Sequence, residues 1–128
     1  MNVNECLETG TLVTHTAAGS GTTTSGDLDA TRHKGILLYI NVSAITGTSP
    51  TLTVTIQGKS PGSAQYHTVL ASAAISATGL TVLRVYPGLT AAANLVANDV
   101  LPCTYRLQSV IGGTTPAVTA QITGVLVY

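Results

Sequence analysis

From Thr51 to Ile56 the chain alternates strictly, with Leu52, Val54 and Ile56 on one side and Thr51, Thr53 and Thr55 on the other. A period of two predicts a half-buried antiparallel strand whose outer face carries hydroxyls in place of charges. Val118, Ala120 and Ile122 repeat the arrangement, with Thr119, Gln121 and Thr123 outward. β-Branched runs bounded by Gly, Pro and Asn extend this reading along the chain. They predict strands over Thr11–Thr16, Gly35–Val42, Thr51–Gln57, Ala64–Leu70, Leu80–Tyr86, Cys103–Ile111 and Ala117–Tyr128, with a weaker one at Ala73–Ala77. The Ala, Gly, Ser and Thr residues from Ala17 to Gly26 have the composition of a flexible loop or arm. No window sustains a helical repeat; the best candidate, Leu89–Asn98, predicts one short turn or an irregular loop.

Two segments align without gaps: Tyr39 to Ile56 against Tyr105 to Ile122. Each reads strand, Gly-Thr-(Ser or Thr)-Pro, strand. Pro50 and Pro116 cannot donate to a ladder and belong at a turn or strand start. Gly47 and Gly113 supply the backbone freedom of a chain reversal, so the repeat predicts two similar hairpins.

Seven or eight short strands at this spacing predict an all-β fold, an antiparallel β-sandwich that is jelly-roll-like with Greek-key connections; an immunoglobulin-like topology is the alternative. The expected core is Leu38, Ile40, Val42, Leu52, Val54, Ile56, Leu83, Val85, Leu107, Val118 and Ile122. Residues 1–27 are read as an N-terminal strand and flexible arm, and residues 28–128 as the sandwich, within one domain overall.

Composition narrows the function classes. Hydrophobic residues make up 45% of the 128 positions, which supports a core, whereas charged residues make up only 8% and the formal net charge is zero. Phosphate binding requires clustered cations, but Arg32, Lys34, Lys59, Arg84 and Arg106 are scattered, and Arg32-His33-Lys34 reads as a solvated corner. No direct nucleic-acid contact is expected. A surface this poor in charge is weakly protected against self-association, which suits a protein packed against others. The start, Met-Asn-Val-Asn-Glu-Cys, lacks signal-peptide character, and no segment has the length of a membrane span, so neither export nor a membrane partner is expected. Cys6 and Cys103 permit one disulfide, but a cytosolic chain keeps both reduced, and Cys103 reads as a small core residue.

Candidate chemistry is sparse. The acids are Glu5, Glu8, Asp27, Asp29 and Asp99, and the histidines His15, His33 and His67. Asp27-Leu-Asp29 with His33 has the spacing of oxygen ligands for a hard cation, yet also reads as a polar loop leading into a strand. His15 and His67 fall within strand patterns, on a solvent face or satisfied by a backbone carbonyl. The chain has no Gly-x-Ser-x-Gly, phosphate loop or Cys-x-x-Cys. We therefore assign no catalytic, cofactor or metal residues. The aromatic residues are Tyr39, Tyr66, Tyr86, Tyr105 and Tyr128, read mainly as core or strand-end residues. Tyr66 and Tyr86 are candidates for a subunit contact.

The Thr/Ala/Gly-rich strands, the paired Gly-Thr-x-Pro motifs, the strand entry Leu101-Pro-Cys-Thr-Tyr-Arg-Leu107 and the apolar end Gly124-Val-Leu-Val-Tyr128 carry a resemblance over residues 35–128. In these features the chain resembles small β-sandwich virion proteins of tailed bacteriophages, especially head decoration (cement) proteins. The resemblance implies a structural role without catalysis or cofactor, the major capsid protein of a phage head as partner, a homotrimer, and residence in the virion after assembly in the bacterial cytoplasm. A tail, neck or baseplate component is the alternative within that class, and a carbohydrate- or surface-binding module is the alternative outside it.

Overall fold

Alternating β-branched residues leave the backbone extended, and a single hydrophobic face then dictates which side of each strand turns inward. A computed structural model of the chain describes residues 6–128, with side chains from residue 11 onward. It contains eight strands: β1 (Cys6–Ala18), β2 (Gly21–Thr24), β3 (Leu28–Asp29), β4 (Gly35–Lys59), β5 (Tyr66–Ala71), β6 (Gly79–Val85), β7 (Val96–Ala97) and β8 (Thr104–Val127). There is no helix among the described residues. The strands form one mixed sheet in the order β1-β8-β4-β6-β7, with β2 and β3 also on β8 and β5 also on β4. Every pairing is antiparallel except that of β6 with β7.

The two Gly-Thr-x-Pro motifs do not reverse the chain. Gly35–Val42 and Thr51–Gln57 belong to one 25-residue strand, and Cys103–Ile111 and Ala117–Tyr128 largely to one 24-residue strand. β4 and β8 run antiparallel along their whole lengths, and Thr48 pairs with Thr114, so each motif faces the other instead of closing a hairpin on itself. Drawn straight, such a strand would span ~80 Å, several times the ~14 Å radius of gyration of a domain this size. Both strands therefore bend together at the motifs, where the register shifts. The bend is made by positive φ at equivalent positions, 120° at Gly47 and 49° at Ser49, matched by 114° at Gly113 and 45° at Thr115.

This corner divides the sheet into two wings. In the first, the start of β4 and the end of β8 lie between β1 and β6. In the second, the end of β4 and the start of β8 lie between β2–β3 and β5. All eleven expected core residues are buried, joined by Val13, Ala30, Ile36, Leu70, Leu101, Tyr105, Ile111, Ala120 and Leu126 in one cluster fed by both wings.

Other expectations need correction. Thr22, Thr23 and Thr24, expected in a flexible loop, form β2 because β8 still offers an open edge there. The segment Ala73–Ala77 contributes only an isolated bridge, Ile75 to Leu52. Leu89–Asn98 is an irregular loop with a turn over residues 93–95, as expected, to which the structure adds the short strand β7.

Candidate functional site

The outer faces of the two wings differ in chemistry. Strand parity turns Thr53, Thr55 and Gln57 of β4 outward on the second wing, beside Arg106 and Gln108 of β8. Val110 is the exposed apolar exception, 41% accessible. On the first wing the same parity turns out Leu37 and Tyr39 of β4, Val125 and Val127 of β8, and Leu80 and Val82 of β6, alongside the polar Asn41, Arg84, Gln121 and Thr123. Leu37 pairs with Val125 on one side and Arg84 on the other, and Tyr39 pairs with Val82, so these side chains form one connected surface. Leu80 is 60% exposed. Beside them a shallow slot of about 250 Å³ is lined by Ile36, Leu37, Val85, Tyr86, Leu89, Val127 and the exposed Arg84. The first wing's outer face thus carries an apolar patch within a polar surround, unlike the hydroxyl- and amide-bearing face of the second wing.

On the second wing a polar cluster ties the β2–β3 connection to β5. Lys59 Nζ donates to Asp27 Oδ2 at 2.8 Å, and the Tyr66 hydroxyl donates to Asp27 Oδ1. The guanidinium of Arg106 lies 3.5 Å from the Tyr66 ring centroid and donates through Nε to Gln57 Oε1 at 2.7 Å. The hydrogen bond from Lys59, followed by that from Tyr66, holds the Asp27 carboxyl below the usual carboxylate range. The same carboxylate raises the Lys59 ammonium and the Tyr66 phenol. Tyr66 thus spends its hydroxyl on Asp27 and one ring face on Arg106, an arrangement of a structural latch. Next to it an open cleft of about 820 Å³ is lined by Asp27, Lys59, the Ser60–Pro61–Gly62 turn, Ala64, Pro102, Cys103 and Thr104.

The structure disperses the other sequence candidates. Asp29 turns onto its own loop, accepting from the Thr31 amide at 2.9 Å and the Thr31 hydroxyl, which lowers its pKa. Asp27 faces Lys59, so Asp27, Asp29 and His33 do not converge; the His33 ring contacts the Thr31 carbonyl and packs edge-on to Tyr128. Among the described residues no group of three His, Cys, Asp or Glu could hold a metal ion. His67 is exposed. Cys103 carries a free, exposed thiol and is not a core residue: β8 begins only at Thr104, so its inward alternation starts with Tyr105. Glu5 and the side chains of Cys6 and Glu8 lie outside the described residues.

Of the tyrosines only Tyr105 is in the core, and burial, with Asp29 nearby, pushes its phenol up to about 12. Tyr86 directly follows β6 and donates to the Tyr128 carbonyl at 3.1 Å. His15 is buried and hydrogen-bonded, and its partner is the Ser109 hydroxyl at 2.7 Å, not a backbone carbonyl or solvent. The sequence does not distinguish the apolar first-wing patch, because Leu37, Tyr39 and Val82 lie within continuous apolar runs that read as core on both sides. Comparison with protein-family models, with curated proteins and with solved structures finds no match to the chain.

Proposed function

We propose that this chain is a non-enzymatic structural protein of a phage virion, a head decoration protein that reinforces the capsid lattice. In this reading it sits as a homotrimer on the major capsid protein, assembled in the bacterial cytoplasm, without direct contact to nucleic acid or membrane. The finer architecture belongs to the same reading: the two wings are the layers of a jelly-roll-like β-sandwich, in which first and last strands pair. The observation that supports it most is the apolar outer face around Leu37, Tyr39, Val82 and Val125, on a chain with so few charges. Burying such a face gains roughly 25 cal/mol per Å², and a lattice repeats that modest gain over many copies. The charge-latched second wing then points to solvent. Pelleting undecorated phage heads with the purified protein tests the proposal: stoichiometric co-sedimentation supports it. Heads that pellet bare, with the protein forming rings or tubes by itself, overturn it in favour of a tail or neck component.

A further inference from the structure

His15 and Ser109 are the interior's one hydrogen-bonded pair of buried side chains among the described residues. His15 belongs to β1 on the first wing, where it lies opposite Ala120. Ser109 belongs to the second-wing half of β8, where it pairs with Val54 and Thr23. Their 2.7 Å hydrogen bond therefore crosses from one wing to the other through the apolar interior. β1 is an edge strand, held along one side by β8 alone, and its ladder is interrupted by three register shifts. Val13 and His15 are its buried side chains among those described. Leu12 and Ala18 pack half-buried against the same core. An edge strand with so interrupted a ladder belongs to the part of a fold that opens first.

Among the described residues the surroundings of His15 offer no counter-charge. From β8 it faces Ser109 and Ala120; the inward residues of β4 nearest that register, Leu52 and Val54, are apolar, and β2 brings only threonines. No Asp, Glu, Lys or Arg is buried among the residues whose side chains are described. The Tyr105 phenol, the other buried titratable group, stays neutral at any pH considered, since it titrates at about 12. Glu8 lies on the same strand, opposite Val125.

We propose that His15 makes the seating of β1 conditional on pH: the neutral imidazole docks the strand across the two wings, and protonation releases it while the β4–β8 corner stays folded. Burial holds the imidazole below its ordinary value of 6.5. Since the detached strand takes up a proton more readily than the docked one, docking is full above about pH 6.5 and weakens as pH falls towards the depressed value.

Amide hydrogen exchange, corrected for intrinsic rates and followed from pH 7.5 to 4.5 on the full chain, tests this. Protection over residues 11–18 should fall up to about tenfold per pH unit below about 6.5, while β4 and β6 keep theirs. In His15→Leu, or in His15→Gln should that variant fold better, the pH dependence of β1 should vanish. Pairing the exchange with an NMR titration of the imidazole completes the test. A midpoint at or above 6.5, a flat β1 profile, or the same pH dependence in the folded variant overturns the proposal.

Discussion

Gly47 and Gly113 lock the corner from opposite sides. A Cβ at Gly47 would lie 2.8 Å from the Thr115 carbonyl oxygen, and one at Gly113 would lie 2.7 Å from the Ser49 carbonyl oxygen. Each glycine thus makes room for the backbone of the other motif, and each also sits at a φ that other residues rarely adopt. Gly47→Ala and Gly113→Ala should each cost about 1–3 kcal/mol in denaturant unfolding. Because the two sites flank the same Thr48–Thr114 pairing at the corner, the double variant should depart from additivity. Additive, negligible losses would show that the corner does not depend on this close approach.

Ser72 stands in for a backbone group where β5 ends. Its hydroxyl accepts from the Val54 amide at 3.0 Å and donates to the Ala73 carbonyl at 2.9 Å, in a buried position. Ser72→Ala leaves the Val54 amide without that partner, an expected loss of about 1–3 kcal/mol. A change below about 0.5 kcal/mol would mean that the ladder closes over the gap.

Cys103 should react with a maleimide in the native protein, at one equivalent for this site by peptide mapping, because its thiol is free and exposed. Cys103→Ser should change stability by no more than about 0.5 kcal/mol, as surface substitutions do. Protection of Cys103 until the protein is denatured would contradict the placement.

The Asp27 latch predicts a pH signature. Its carboxyl titrates below the usual range, so its contribution is present above about pH 3.9 and disappears as pH falls through the folded value. Asp27→Asn should therefore be slightly less stable than the parent at neutral pH, with the difference shrinking in acid and in high salt. The same variant should bring the Tyr66 phenol down in an NMR titration. An unmoved Tyr66 would mean that the latch is not closed in solution.

How much was legible from the chain follows from the range of the forces involved. The core positions from Leu38 to Ile122 could be read because a period of two is local and burial follows it. Ala30 and Leu101 could not, since loop contacts bury them: Ala30 donates to the Cys103 carbonyl and Leu101 to the Lys34 carbonyl. The Gly-Thr-x-Pro repeat was visible, but its local chemistry suits a reversal as well as a bend. Only the long-range pairing of Thr48 with Thr114 decides between them. His15 carried a strand signal without its partner, for Ser109 lies 94 positions away.

The contact-face reading can be tested with two exposed residues on opposite wings. Leu80 is 60% accessible on the apolar face, and Val110 is 41% accessible on the polar one. The decisive measurement is co-sedimentation of the wild type, Leu80→Asp and Val110→Asp with undecorated phage heads. Stoichiometric binding is expected of the wild type and of Val110→Asp, and binding at least about tenfold weaker of Leu80→Asp, a charge placed in a desolvated contact costing more than 1.4 kcal/mol. Heads that pellet without the wild-type protein, or that bind Leu80→Asp as well as the wild type, would contradict the contact-face reading.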